Sequence, residues 1–227
     1  YVRVSIPERR LHRLPDELSY EEGALAEPLA TSLHVLRVSA FRVGMRTVVL
    51  GVGPIGLGLI MLLKNAGARS IFAVMGKNRK RGEMAKEFGA DHVFAFEESP
   101  RLKQKVHQLT GGEGVDIVFD CSGASPAFES ATDFLVPRGQ LVIVGLIPGR
   151  ASIPSLKWVI NEWKLQGSYC YDSDEFPMVL DFMQKNVSQV RKMITSRIRL
   201  KDIVNKGLDV LSTPGNKEIK ILVEPEE

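Results

Sequence analysis

The sequence is poor in the features that mark several protein classes. Two cysteines in 227 residues are too few for a disulfide framework, and a reducing, cytoplasmic setting is the default expectation. No apolar run approaches the roughly 20 residues that span a bilayer, so no membrane partner is expected. The formal net charge is only +3, which gives no electrostatic reason to expect nucleic acid. No signal peptide opens the chain, and no repeat or low-complexity stretch occurs. The first residue is Tyr1 rather than Met, and Val2 to Pro7 reads like the middle of a protein. An N-terminal portion is therefore expected upstream. What remains is ordinary: 25% charged and 44% hydrophobic residues, enough for one large or two small domains with a sizeable core.

Against that background one segment stands out. Arg46 to Gly58 reads RTVVLGVGPIGLG. An apolar strand runs into Gly51, Gly53 and Gly56, and a long apolar helix follows. That order of strand, glycine turn and helix start binds a dinucleotide pyrophosphate. Gly51 permits the sharp exit from the strand, Gly53 lets backbone approach a phosphate, and Gly56 lets helix pack on strand. Pro54 and Ile55 open the helix, where a missing N–H costs little and the free N–H groups face the anion.

The rest of the chain alternates. Strands are expected at Thr47–Leu50, Ser70–Met75, His92–Ala95, Asp116–Asp120, Gln140–Gly145 and Leu165–Cys170. They are short, rich in Val and Ile, and mostly apolar on both faces, as buried parallel strands are. Helices are expected at Ile55–Ala66, Arg79–Phe88, Pro100–Leu109, Pro126–Leu135, Ser155–Glu162 and Asp174–Lys185. The fold class is α/β, a Rossmann doubly wound parallel sheet of six strands. Residues 46–185 make this unit. Residues 1–45 read as the end of another domain and its junction, with Ser19 as a helix N-cap and Glu22 three residues on. Residues 186–227 read as a return towards that domain, with a helix at Lys201–Leu211, a turn at Pro214-Gly215 and a strand at Glu218–Val223.

Several phrases line up in order: LHRLPDELSYEEGALAEPLATSLH (11–34), VVLGVGPIGLG (48–58), AKEFGADHV (85–93), GGEGVDIVFDCSGA (111–124) and GQLVIVGL (139–146). The chain resembles the zinc-dependent medium-chain dehydrogenases, in particular the alcohol, sorbitol and threonine members. The resemblance implies remnants of a GroES-like catalytic domain flanking the cofactor domain. It implies hydride transfer between a secondary alcohol or polyol and a nicotinamide cofactor, with zinc in the full-length parent. The family's zinc-binding cysteine and Gly-His-Glu motif are absent from 1–227, so the chain alone is expected to hold cofactor without turnover. A homodimer or homotetramer is implied too, with Ile153–Tyr171 a candidate for the shared sheet edge, although core burial of that stretch fits equally well. Two rival readings are a zinc-free quinone or enone reductase of the same superfamily and a nucleotide-binding module without catalysis.

By the same resemblance Glu27, in the Glu-Pro phrase, matches a glutamate at the catalytic zinc. Thr31 lies one turn further, towards the nicotinamide side. His34 is seven residues on, so a proton relay with Glu27 competes with a satisfied structural role. At the end of the second strand an acid would bind the adenosine ribose of NAD, but Gly76 stands there, followed by Lys77, Arg79 and Arg81. A small residue beside cations fits a 2′-phosphate, so NADP is expected over NAD. Cys121, Ser122 and Gly123 should flank the adenosine and ribose, with Cys121 a packed residue rather than a nucleophile. Cys170 reads as buried strand. Val144, Gly145 and Leu146 should lie along the nicotinamide. Lys220 competes between a pyrophosphate contact and an exposed strand lysine.

Overall fold

Short runs of branched apolar residues build the sheet in the computed structural model, which describes residues 10–225. The Val2 to Pro7 stretch read above lies outside them. β1 (Arg46–Leu50), β2 (Ser70–Met75), β3 (His92–Ala95), β4 (Val115–Asp120), β5 (Leu135–Ile143) and β6 (Lys164–Gly167) pair in the order β3-β2-β1-β4-β5-β6. Every pair is parallel. The order reverses between β1 and β4, which opens a crevice above their carboxyl ends.

Alternation along the strands feeds two cores. Val49, Ile71, Ala73, Ile117 and Phe119 face one side, where α2 (Ala26–Val38), α3 (Pro54–Asn65), α4 (Arg79–Glu87), α8 (Glu175–Lys185) and α9 (Val187–Lys192) cover them. Val48, Leu50, Phe72, Val74 and Val118 face the other, under α5 (Ser99–Leu109) and α6 (Ser125–Ser130). Both faces are dry, which is why the strands read as continuous apolar runs.

The segment before β1 is docked closely on this frame. Ser19 caps α1 (Tyr20–Gly23) in a capping box with Glu22, as the spacing anticipates. Glu22 is fully buried and accepts from Arg191 Nε of α9 at 2.6 Å. Burial acts to raise its pKa, but the bonds from Ser19 and Arg191 prevail and hold it at about 2. α2 crosses α3 at Gly58, where a Cβ would lie 2.5 Å from Leu29 Cδ2 and 2.7 Å from Ser32 Oγ.

Three expectations need correction. The helix expected to reach Leu135 stops at Ser130, and a single 3-10 turn follows at Ala131–Asp133. Leu135 instead pairs with Val115 and opens β5. Pro137 lacks a donor and Arg138 sits at φ 63°, so the ladder skips and resumes at Gln140 opposite Ile117. The sixth strand ends at Gly167 rather than Cys170, and Cys170 is exposed at φ 54°. The return segment holds a strand that was not anticipated, β7 (Ile194–Arg199), paired in parallel with β8 (Lys220–Glu224). The helical stretch between them tightens and loosens in turn, with a 3-10 turn at Leu200–Asp202, a π-helix at Ile203–Leu208 and α10 at Asp209–Ser212.

Candidate cofactor site

The glycine turn sits where β1 delivers it, at the centre of the crevice. Gly51 has φ 89°, and a Cβ there would lie 2.7 Å from Ser122 Cα. A Cβ on Gly56 would overlap the Gly51 carbonyl oxygen. These two glycines therefore serve packing between turn, helix and the β4 loop. Gly53 differs: a Cβ there meets nothing nearer than Arg81 Nη1 at 4.0 Å. It N-caps α3 without any side-chain cap, and Pro54 occupies the first turn. The first free N–H groups of α3 are thus left for an anion.

A cleft of about 400 Å³ opens over this turn, lined by Gly51, Gly53, Gly76, Lys77, Arg81, Cys121 and Ser122 among others. An apolar slot of about 160 Å³ adjoins it between Val74, Met75, Phe96 and Ala127. A flat ring system fits that slot chemically. Gly76 borders both spaces, and a Cβ on it would meet nothing within 4 Å. Arg79 lines a neighbouring cleft instead.

Arg81 is held rather than free. Its Nε and Nη2 donate to the Glu218 carbonyl at 3.1 and 2.8 Å, and burial lowers its pKa. Glu218 belongs to the turn before β8, and that turn also supplies Thr213, Pro214, Gly215 and Asn216 to the wall of the cleft. Sequence reasoning missed this wall. Only the folded chain brings residues 213–218 beside residue 77, so no local signal could have shown it. Lys220 does not line the cleft. It sits in β8 opposite Ile194.

Asp120, at the end of β4, was also missed. Its Oδ1 accepts from Ser122 N at 2.9 Å and Ser122 Oγ at 2.6 Å, while burial raises its pKa. Its other oxygen is buried with no hydrogen-bond partner among the described residues. This bracket sets the Cys121–Gly123 loop. Burial, with the Asp120 charge adding to it, also pushes the Cys121 thiol far up, which suits a packed residue and not a nucleophile. Val144, Gly145 and Leu146 follow β5, outside the lining of the cleft. A Cβ on Gly145 would overlap Gly123, so that glycine joins two loops.

Glu27 stands exposed in the first turn of α2. Tyr171 lies close enough that burial and then the Glu27 charge raise its pKa. Thr31 is buried, with its hydroxyl 3.4 Å from the Glu27 carbonyl. His34 Nδ1 lies 2.9 Å from Glu175 Oε2, and Arg37 pairs with the same carboxylate at 3.2 Å. Among the described residues the only group of three possible metal ligands is His34, Asp172 and Glu175, which excludes Glu27. Arg37 already pairs with Glu175 of that group. Glu27 thus offers one oxygen donor and no set.

The fold and the glycine turn define a dinucleotide-binding α/β protein. The family model described as zinc-binding dehydrogenase matches residues 54–185, and the chain belongs to that family. It is 37% identical over 222 residues to (R,R)-butanediol dehydrogenase of Bacillus subtilis, covering 98% of this chain and 63% of that protein. It is 30% identical to D-xylulose reductase of Saccharomyces cerevisiae, covering 96% of this chain and 61% of the relative. The crystal structure of 2R,3R-butanediol dehydrogenase from Bacillus subtilis superposes with a TM-score of 0.85 at 35% identity, over 95% of this chain and 60% of that one. A putative zinc-binding dehydrogenase from Sinorhizobium meliloti, bound to NADP, superposes with a TM-score of 0.81 at 26% identity, over 94% and 62%. The chain therefore spans about six-tenths of the length of the relatives it matches.

Proposed function

We propose that the chain is the NADP(H)-binding portion of a zinc-dependent alcohol or polyol dehydrogenase. One observation carries the cofactor reading. The space at Gly76 is open, and Lys77 borders the same cleft. An acid at that position would repel a 2′-phosphate, and its absence beside a cation favours one. The NADP carried by the Sinorhizobium meliloti structure supports the same reading by similarity.

The residues have distinct work. The backbone of Gly51–Gly53 and the start of α3 hold the pyrophosphate. Asp120 fixes Ser122 and so the loop that flanks the ribose. Glu27 would contribute one oxygen ligand to zinc, and the remaining ligands would come from the parent enzyme. When bound, the nicotinamide would supply the hydride chemistry and the zinc would supply Lewis acidity towards the alcohol oxygen. The division into a junction over 1–45, a cofactor unit over 46–185 and a return over 186–227 goes with this reading. Two copies pair through the β6 edge and α7 (Ser155–Asn161), whose Leu156, Val159 and Ile160 are exposed.

Side-by-side titration with NADPH and NADH tests the proposal, with tighter NADPH binding expected. Gly76→Asp should reverse the preference towards NADH. Equal or tighter NADH binding by the unmutated protein removes the NADP assignment. Residues 1–227 alone should turn over no alcohol.

A further inference from the structure

A second cleft, of about 510 Å³, adjoins the glycine-turn cleft. Lys77, Arg79 and Lys80, at the start of α4, line it together with Lys217, which follows the Gly215 turn. The two clefts share Lys77, Asn78 and Gly215. Glu83 is the one acidic residue in the lining. None of the four cations forms an ion pair among the described residues. Three cations at a helix start also oppose the helix dipole. Four cations against one carboxylate in the lining favour an anion in this cleft.

The placement of Lys217 is built, although its side chain is exposed. Asn216 Nδ2 donates to the Thr213 carbonyl at 2.9 Å, and Asn216 Oδ1 accepts from Glu218 N at 2.9 Å. The Glu218 carbonyl in turn takes both bonds from Arg81. Lys217 is therefore clamped between two anchored neighbours, one of them tied to α4. Lys77 and Gly215 border each other across the shared lining, and a Cβ built on Gly215 would lie 3.8 Å from the Lys77 Cβ. Arg81, by contrast, has two of its three nitrogens committed to Glu218, and Nη1 would lie 4.0 Å from a Cβ built on Gly53.

We infer that Lys217, from the return segment, is a specificity-determining residue that closes the phosphate-monoester subsite together with Lys77, while Arg81 serves the pyrophosphate turn. The inference rests on the NADP reading above and deepens it. Selection between the two cofactors is then shared by two parts of the chain distant in sequence.

The test measures NADPH and NADH dissociation constants for wild type, Lys217→Gln, Lys217→Arg and Arg81→Gln. Loss of one charge-assisted contact to a phosphate should weaken NADPH about tenfold in Lys217→Gln and leave NADH within about twofold. Lys217→Arg should restore the preference. Arg81→Gln should weaken both cofactors together. Wild-type protein that binds NADH as tightly as NADPH overturns the cofactor reading, and this inference with it. A wild-type NADPH preference that Lys217→Gln leaves intact overturns the inference alone, as does an equal loss of both cofactors in that variant.

Discussion

The two helices α3 and α7 cover the same sheet and meet opposite fates. α3 buries every residue from Gly56 to Leu63. α7 buries none, and Leu156, Val159 and Ile160 are each at least 70% exposed. Both segments are apolar in sequence. The difference is position: α3 follows the central strand β1 and is enclosed by α2, α4 and the sheet, whereas α7 precedes the edge strand β6 in the chain and meets the sheet chiefly at β5. Hydrophobicity states that a surface wants cover. Topology decides whether the same chain supplies it.

Substitutions on the two helices should separate them. Leu59→Ala, in the wall of the α3 core, should cost about 3 kcal/mol in urea unfolding, since it leaves a cavity that close packing cannot collapse. A loss below about 1 kcal/mol would show that α3 is less tightly enclosed than it stands here.

Between these extremes lies the pair of buried Glu22 with exposed Arg191, which ties α1 to α9. Glu22→Gln should cost on the order of 2 kcal/mol, because it removes a charge-assisted bond from a buried site while Arg191 stays half in water. The folded pKa of Glu22 is lowered from 4.5 to about 2. Its contribution is therefore complete above pH 4.5 and lost as pH falls towards 2. Acid titration of wild type and Glu22→Gln should give stability curves that converge across that window. Curves that stay parallel would remove the pair from the acid response.

At the edge, Val159→Asp with Ile160→Glu should change the stability of the isolated chain by less than about 0.5 kcal/mol. Sedimentation should nevertheless show a smaller assembly than wild type. An unchanged mass would mean that α7 is not the contact between copies.

The two cysteines offer the smallest and cheapest contrast. Cys170 is exposed, while the Cys121 thiol is packed against the core and pushed up by burial. One thiol should react with an alkylating reagent in the folded protein and two after unfolding.

Much of the site was legible along the chain. Gly51 turns the chain at φ 89° and Gly56 packs on the Gly51 carbonyl, and such local constraints leave a mark in sequence. The structure also separated their roles, since Gly51 and Gly56 pack loops and Gly53 alone faces open space. The break at Ser130 was not legible, because pairing of Leu135 with Val115 outweighed helix propensity. β7 was missed for a related reason. Its pattern of Ile194, Ser196 and Arg199 is weak alone, and β8, 26 residues later at Lys220, completes it.

By itself the sequence determined the order of strand, turn and helix, the class of ligand and the absence of an acid at residue 76. These follow from backbone geometry and side-chain size within a few neighbouring residues. The tertiary structure alone decided that Glu218 holds Arg81, that Lys217 and Lys77 line one cleft, and that α7 is left uncovered. Those facts depend on where chain segments more than a hundred residues apart come to rest, and no local pattern encodes that.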